Sequence, residues 1–184
     1  RKKDSEIMKD FPIIRIDNLY DFSKGEHTRV KNKVIDQIKR AQWDNNYALE
    51  KSKFTTKLYN TFVNTAQKHL KFKVNKNLNR DFCWAVASNK DFKPSVNWHN
   101  HIKSSTINSV YYLDIPKDME GGEIEFRNRR KDILKIKPKT NELYIFPCWL
   151  WHNPVNVKSK QLRLSINMEI IAIEKHWEIF NENN

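Results

Sequence analysis

The first part of the chain alternates apolar and charged positions with a helical period. Between residues 26 and 42, apolar side chains recur every three or four positions, and Lys and Arg occupy the opposite face. Residues 56–71 repeat apolar side chains every fourth position, and Thr55 or Thr56 can cap the start. Such spacing is typical of amphipathic helices that pack one face on a core. The sequence therefore predicts two helices here.

A short apolar run at residues 11–16 precedes these helices and contains Pro12. Proline lacks an amide hydrogen, so sheets tolerate it only near the start of a strand or on an edge. We therefore predict a short strand at the periphery of the fold.

After Arg80 the pattern changes to short apolar and β-branched runs that turn residues separate. The candidate strands are 81–87, 96–101, 106–115, 123–127, 133–137, 142–146, 151–157 and 162–173. Eight strands without an intervening helix are the signature of a sandwich or barrel. We predict a mainly β fold with flanking α-helices. Its core would be a double-stranded β-helix (jelly-roll, cupin-like) that encloses a cavity, with the N-terminal helices packed on the outside.

The length of 184 residues suits one compact domain. We expect an N-terminal strand and helices over residues 1–79, the β-helix core over 80–173 and a C-terminal tail over 174–184. No run of about 18 apolar residues and no export signal occurs, so we expect a cytoplasmic chain without membrane segments. Cys83 and Cys148 should then be reduced, packed thiols. The chain could form a homodimer, but the sequence does not decide its oligomeric state.

The chain carries a formal charge of +12 and has a pI near 9.6. Such a charge attracts nucleic acid, phosphorylated substrates or an anionic surface. The sequence is also rich in Lys, Asn and Ile, which AT-rich codons specify, so compositional drift could produce the same charge. Both interpretations stay open.

Two histidines, His99 and His101, stand two positions apart in a segment that reads as extended. On a strand, such positions point to the same face. Two imidazoles that converge inside a barrel can bind a transition metal, and a third ligand should come from another strand. His152 is the candidate. The remaining histidines lack a partner at useful spacing, and we expect packed or surface roles for them: His27, His69 and His176.

Arg163 and Ser165 share one face of the last predicted strand. A guanidinium offers a permanently charged, two-point clamp for a carboxylate, and a neighbouring hydroxyl can donate a further hydrogen bond. An arginine inside a barrel needs an anion, so this pair indicates a carboxylate-bearing ligand.

Together these segments resemble the 2-oxoglutarate- and Fe(II)-dependent dioxygenases, in the branch that includes prolyl-hydroxylase-like and phage-encoded oxygenases. The resemblance covers roughly residues 81–171. It is carried by HNH at 99–101, SVYYLDIP at 109–116, GGEIEF at 121–126, LYIFPCWLWH at 143–152 and RLS at 163–165, in this order.

The resemblance implies roles for particular residues. His99 and His152 would be metal ligands, and Arg163 with Ser165 would hold the distal carboxylate of 2-oxoglutarate. Tyr112 would support the same carboxylate, and Asn108 on the same strand face is a weaker candidate, whereas Tyr111 points into the core. The implied cofactor is Fe(II), with 2-oxoglutarate and O2 as co-substrates. The implied reaction hydroxylates a substrate and decarboxylates 2-oxoglutarate to succinate.

His101 departs from the commonest pattern, because the family usually has Asp or Glu at this position. Three neutral imidazoles leave a ferrous site more positive than two imidazoles and a carboxylate, which alters metal preference and redox behaviour. We predict His101 as the third ligand. If His101 does not bind the metal, Glu123 or Glu125 could take its place. Gly121 and the glycine after it should supply the positive backbone angles of a turn that precedes these carboxylates.

Three tryptophans neighbour the metal-ligand candidates. Strand alternation turns Trp98 and Trp151 away from the face of the adjacent histidine, so we expect both to pack, while the role of Trp149 stays open.

Two other functions compete with the oxygenase. A cupin-type metal-binding protein shares the barrel, and Pro147, His152 and Asn156 echo the second cupin motif, but no Glu follows His101 at the required spacing. A cupin also gives no reason for Arg163. The other alternative is a non-catalytic, basic, nucleic-acid-binding jelly-roll. For the oxygenase, the substrate could be a peptidyl proline, another protein side chain, a nucleobase or a small metabolite.

Overall fold

A computed structural model of the chain describes residues 5–8, 10–23, 25–43, 47–70, 83–92 and 97–171. In this part of the chain two helices accompany ten strands. In chain order the elements are β1 Ser5–Ile7, β2 Ile14–Ile16, α1 Glu26–Arg40, β3 Tyr47–Ala48, α2 Lys53–Leu70, β4 Trp84–Ser88, β5 Ile107–Asp114, β6 Ile124–Arg127, β7 Ile133–Ile136, β8 Glu142–Pro147, β9 Trp151–Pro154 and β10 Arg163–Ile170.

The strands form two antiparallel sheets. The larger sheet has the order β1-β2-β8-β5-β10-β4-β3, and the smaller sheet has the order β7-β6-β9. Non-consecutive strands are neighbours in both sheets, which is the arrangement of a jelly-roll. The predicted mainly β fold with flanking helices is confirmed.

The larger sheet is covered on both faces, which explains the nearly continuous burial of β5 and β8. On one face, Tyr111 and Leu113 pack with Val34 and Phe62 of the two helices. On the other face, residues of β5 and β8 pack with Ile124 and Phe126 of the smaller sheet. Alternation along the strands thus sends one set of side chains to the helices and the other set towards the smaller sheet.

The two helices lie close to their predicted positions. Helix α1 begins at Glu26 as expected, whereas α2 begins at Lys53, three positions earlier than predicted. Ser52 is its cap: the Thr55 amide donates to Ser52 Oγ at 3.1 Å, and the Ser52 amide donates to Thr55 Oγ1 at 2.9 Å. The prediction that Thr55 or Thr56 caps this helix was therefore wrong. The reciprocal bonds are those of a capping box.

The predicted N-terminal strand begins only at Ile14, and it is not peripheral. Strand β2 pairs with β8 in the larger sheet, and Ile14 and Ile16 are buried. Arg15 donates to Glu142 Oε1 at 2.6 Å and joins β2 to β8. The additional strand β1 supplies the sheet edge instead.

The segment from 96 to 101 differs from its prediction, because it contains one isolated bridge, between His99 and His152, and no strand in its described part. The His101 amide donates to the carbonyl of Cys148 at 2.9 Å, and the chain then turns at Ser104. Strand β9 ends at Pro154 rather than at residue 157. The predicted ends at 81–82 and 172–173 lie outside the described residues.

Cys83 and Cys148 are buried, as predicted, and neither forms a disulfide within the described residues. None of the described helices is long and apolar enough to cross a membrane. The division into a single domain with its three segments stays a prediction, and the tail from residue 174 lies outside the described residues.

Candidate metal and co-substrate site

A cavity of about 460 Å³ lies between the two sheets. Its size is that of sites that enclose small ligands. All seven predicted site residues line it: His99, His101, Asn108, Tyr112, His152, Arg163 and Ser165. The structure thus brings both predicted groups, the histidines and the arginine set, to one cavity.

The three histidines converge although they come from two segments. Their potential ligand atoms all lie within 4.8 Å of one another. His152 lies on β9, and reciprocal backbone hydrogen bonds of 3.0 and 2.9 Å join it to His99. A backbone bond from His101 to Cys148 holds the third residue. The group has the donor types and the spacing to hold a transition-metal ion.

Each imidazole has its Nδ1 engaged by an oxygen atom. Nδ1 of His99 lies 2.7 Å from the carbonyl oxygen of Asn97, and Nδ1 of His152 lies 3.1 Å from that of Leu150. Nδ1 of His101 lies 2.7 Å from Oε1 of Glu169. Because these oxygens accept hydrogen bonds, Nδ1 carries a hydrogen in each ring, so Nε2 is the ring atom left to bind a metal.

Burial favours the neutral, metal-binding form of two of these imidazoles. It lowers the pKa of His99, and it lowers the pKa of His152 well below the usual value, with the neighbouring histidines adding to the effect. Both rings are therefore neutral near neutral pH. A neutral imidazole binds a metal without first losing a proton.

Arg163 begins β10 and is only 2% exposed. Its Nε donates to Ser88 Oγ at 3.0 Å, and its Nη1 donates to the carbonyl oxygen of Gly122 at 2.7 Å. Within the described residues, no carboxylate lies within ion-pair distance of this guanidinium. Burial lowers the pKa of Arg163, but an arginine stays charged in proteins. Three of its five N–H donors remain for an anion in the cavity.

The glycine pair at 121–122 positions the Gly122 carbonyl oxygen that accepts from Arg163. Gly121 has a φ of +69° and Gly122 a φ of +72°, as the sequence predicted for a turn. A Cβ on Gly122 would lie 2.6 Å from Met119 Sδ, and one on Gly121 would lie 2.2 Å from the Asn156 carbonyl oxygen. The turn therefore requires glycine for both its angles and its close contacts.

Ser165 and Tyr112 add neutral hydrogen-bonding groups near Arg163, whereas Asn108 pairs with Glu169 across β5 and β10, at the histidine end of the cavity. Ser165 pairs with Tyr112 across β10 and β5, and both are buried. Burial raises the pKa of Tyr112 to about 12, so its hydroxyl stays protonated and can donate. Asn108 Oδ1 accepts from the hydroxyl of Ser105, while its buried Nδ2 has no hydrogen-bond partner in the described part of the chain.

Two residues of the site were missed by sequence reasoning. Ser88 holds Arg163, and Glu169 contacts His101. The signal for Glu169 was present, because positions 163, 165, 167 and 169 alternate onto one face of β10. Asn167 and Glu169 line the cavity with Arg163 and Ser165.

The carboxylates predicted as alternatives lie elsewhere. Neither Glu123 nor Glu125 lines the cavity. Glu125 accepts from Asn153 Nδ2 at 2.9 Å and pairs with Lys135 at 3.4 Å on the other face of the smaller sheet. The structure therefore gives them no place beside the histidines.

The flanking tryptophans also lie outside this cavity. The guanidinium of Arg127 lies over the rings of Trp98 and Trp151, at 4.9 and 5.3 Å, and that of Arg129 lies 4.7 Å from the ring centre of Trp149. Trp151 is 40% exposed, so the prediction that it packs in the core was wrong. Its turn away from His152 follows the predicted alternation.

The other histidines are apart from this group. Nε2 of His27 lies 2.7 Å from the carbonyl oxygen of Leu113, and His69 lies in the last turn of α2. His176 lies outside the described residues.

Comparisons with known proteins agree with this geometry. Residues 82–169 match the model of a protein family described as "Putative 2OG-Fe(II) oxygenase". No curated protein matches the sequence.

Solved structures share the fold at low sequence identity. A prolyl 4-hydroxylase from Pseudomonas putida has a TM-score of 0.67 and 10% identity, over 90% of this chain and 95% of that one. A prolyl 4-hydroxylase from Phytophthora capsici has a TM-score of 0.62 and 12% identity, over 89% of this chain and 60% of that one. The α-ketoglutarate-dependent carbocyclase SnoK from nogalamycin biosynthesis has a TM-score of 0.63 and 9% identity, over 91% of this chain and 81% of that one.

The family match and the cavity coincide in the chain. The matched segment includes all seven site residues and most strands of both sheets. Over residues 82–169, just under half of its length, this chain is therefore similar to the 2OG-Fe(II) oxygenase family.

Proposed function

We propose that this chain is a Fe(II)- and 2-oxoglutarate-dependent dioxygenase that hydroxylates a substrate while 2-oxoglutarate is decarboxylated to succinate. The observation that carries the proposal is Arg163, a buried cation that faces the same cavity as three imidazoles whose Nδ1 atoms are held by oxygen atoms. A buried charge without a partner is costly, so a bound carboxylate explains its presence.

His99, His101 and His152 would hold the Fe(II) through Nε2. Imidazole suits iron, and three facial ligands leave positions open for other ligands. When bound with 2-oxoglutarate, the metal would supply the activation of O2 that drives the oxidation. The Nδ1 contacts fix the orientation of each ring before the metal arrives, so little side-chain entropy is lost on binding.

Arg163 would bind the distal carboxylate of 2-oxoglutarate, with Ser165 and Tyr112 donating from the adjacent strands. Ser88 and Gly122 hold the guanidinium in place, so the clamp is preorganised. The amide Nδ2 of Asn108, which lies opposite Glu169 at the histidine end of the cavity, could donate to another part of the co-substrate. Val110, Ile124 and Phe146 supply apolar walls that exclude water around the co-substrate.

The structural neighbours suggest which substrate class to test first. Two of them are prolyl 4-hydroxylases, so peptidyl proline heads the panel. Fold alone does not determine substrate, and protein side chains, nucleobases and small metabolites belong in the same panel.

The test measures succinate formed from 2-oxoglutarate by the Fe(II)-loaded protein with each substrate class. We expect succinate to require Fe(II) and O2, and to rise with the true substrate. His152→Ala should abolish it, whereas Glu125→Gln, on the other face of the smaller sheet, should not change it. A fully iron-loaded protein that forms no succinate with any class would contradict the proposal. A cupin-type protein would bind metal and show no dependence on 2-oxoglutarate.

A further inference from the structure

Glu169 is a carboxylate at the metal-site end of the cavity. It lies on β10 and lines the cavity together with Arg163 and Ser165. Its Oε1 lies 2.7 Å from Nδ1 of His101, and the hydroxyl of Ser104 donates to the same oxygen at 3.3 Å. The side chains of His101 and Glu169 are 23% and 22% exposed. Glu169 is therefore positioned to act on the metal through His101.

We infer that Glu169 is a positioning residue that gives His101 part of the character of the missing carboxylate ligand. This inference rests on the proposed metal site. His99 and His152 have neutral carbonyl oxygens at Nδ1, whereas His101 has a charged acceptor. A carboxylate in this place orients the ring and makes Nε2 a stronger donor to a metal. The negative charge is thus placed one hydrogen bond behind the ligand ring, on the side away from the ion.

The role predicts a measurable loss of metal affinity. Outer-shell partners of histidine ligands typically account for about 10- to 100-fold in metal affinity. We expect Glu169→Ala to weaken Co(II) binding by about that factor. Glu169→Gln keeps the size and an acceptor oxygen and removes only the charge, so its loss should be about tenfold. Titration with Co(II), followed by its visible absorption, measures both without any turnover. Glu125→Gln is the matched control and should bind Co(II) like the wild type.

A double-variant comparison separates positioning from a general structural effect. In a His101→Asp background the ligand itself carries the charge, and Glu169 would face a second carboxylate. Like charges repel, so Glu169→Gln should there leave Co(II) affinity unchanged or increase it. An equal loss in both backgrounds, or no loss in the wild-type background, would overturn the inference. A wild-type protein that binds no metal would instead refute the proposed function.

A second feature, independent of the metal site, is the basic segment that forms the β6–β7 hairpin and the residues after it. Residues 127–139 contain seven Lys or Arg and one Asp, a formal charge of +6 out of +12 for the chain. Six of the seven cations are exposed. Compositional drift would spread the charge along the chain, so this concentration indicates a binding surface.

Aromatic rings border the same segment. Arg127 lies over Trp98 and Trp151, and Arg129 lies over Trp149. Arg127 also pairs with Trp151 across β6 and β9, on the outer face of the smaller sheet. We use the name hairpin surface for the cations of residues 127–139 together with these three tryptophans. Its exposed ring is Trp151, at 40%, while Trp98 and Trp149 are partly buried beside the cations.

We propose that the hairpin surface binds single-stranded nucleic acid. Exposed lysines and arginines attract phosphates, and unpaired bases stack on tryptophan and on guanidinium planes. Among the described residues, Arg130 pairs with Asp132 and Lys135 pairs with Glu125, at 3.4 Å each. Exposed ion pairs of this kind are weak, so phosphates can displace them. An acidic peptide would use the charges but has no need of the aromatic planes.

The test compares two triple variants with equal loss of charge. The hairpin variant carries Lys131→Ser, Lys137→Ser and Lys139→Ser, and its probe is labelled oligo(dT) followed by fluorescence anisotropy. Each lost phosphate contact removes about 0.7 from the salt slope of single-strand binding, so the slope should fall by about two. Affinity at low salt should fall at least about tenfold.

The control variant carries three exposed lysines of other regions changed in the same way: Lys33→Ser, Lys39→Ser and Lys51→Ser. It should keep the wild-type affinity and slope. Trp151→Leu should weaken binding about tenfold without changing the slope, because one stacking contact is lost. The proposal would be overturned if both triple variants lost affinity for oligo(dT) equally, or if Trp151→Leu kept the wild-type affinity. Absence of oligo(dT) binding by the wild-type protein would also overturn it. Stronger binding of polyglutamate than of oligo(dT) would assign the surface to an acidic protein instead.

Discussion

Replacement of Arg163 by Met should remove the co-substrate and spare the metal. Methionine roughly keeps the length of the side chain, so the cavity wall stays filled, while the charge and all five donors are lost. Two of these donors bind Ser88 and Gly122, which leaves three for a carboxylate. Each charge-assisted hydrogen bond is worth about 1.5–3 kcal/mol. Allowing for imperfect geometry, we expect a loss on the order of a hundredfold, or about 2.7 kcal/mol.

Calorimetric titration of the Mn(II)-loaded protein with 2-oxoglutarate measures this loss without turnover. Arg127→Met is the matched control, because Arg127 lies outside the cavity, on the outer face of the smaller sheet, with its guanidinium over Trp98 and Trp151. It should bind 2-oxoglutarate like the wild type. Metal content should be equal in all three proteins, which shows that the histidine site is intact. An unchanged dissociation constant in Arg163→Met would refute the assignment of this arginine to the co-substrate.

Further predictions concern the remaining groups of the site and the sheet. His152→Ala should abolish metal binding and His101→Ala should weaken it strongly, whereas His101→Asp should retain a site; elemental analysis of the purified variants tests this. Tyr112→Phe should weaken 2-oxoglutarate binding by about 0.5–1.5 kcal/mol, the value of one neutral hydrogen bond, in the same calorimetric assay. Glu142→Gln should lower the free energy of unfolding by about 2–3 kcal/mol, because it removes the buried carboxylate partner of Arg15 and leaves only the exposed ones, Asp17 and Glu6, and urea unfolding measures the change. Burial alone raises the pKa of Glu142, but hydrogen bonds from Arg15 and Tyr144 outweigh it and lower that pKa. This stabilisation should therefore be present above the usual carboxyl pKa and be lost as the pH falls through the lowered one.

The site could be predicted from the sequence because strand alternation is local. Arg163 and Ser165 stand two positions apart on one strand, Asn108 and Tyr112 stand four apart on another, and each pair faces the cavity. The same rule reaches Glu169, which sequence reasoning nevertheless missed because no partner for it was visible in the sequence.

The parts that sequence reasoning did not reach depend on distant partners. The place of β2 in the larger sheet depends on β8 and on the bond between Arg15 and Glu142, which are far apart in the chain. Pro12 correctly marks the region before a strand start, but it carries no information about which strand pairs with β2. Likewise, the exposure of Trp151 follows from the open outer face of the smaller sheet, which alternation alone cannot reveal.

The central claim is that one cavity holds Fe(II) on three histidines and 2-oxoglutarate on Arg163. Anaerobic titration of the Fe(II)-loaded protein with 2-oxoglutarate tests it most directly, through the visible charge-transfer absorption of a metal-bound 2-oxo acid. We predict a band that requires both Fe(II) and 2-oxoglutarate, that is absent in His152→Ala, and that needs about a hundredfold more 2-oxoglutarate in Arg163→Met. A fully iron-loaded wild-type protein without this band, or one whose titration is the same in Arg163→Met, would contradict the account.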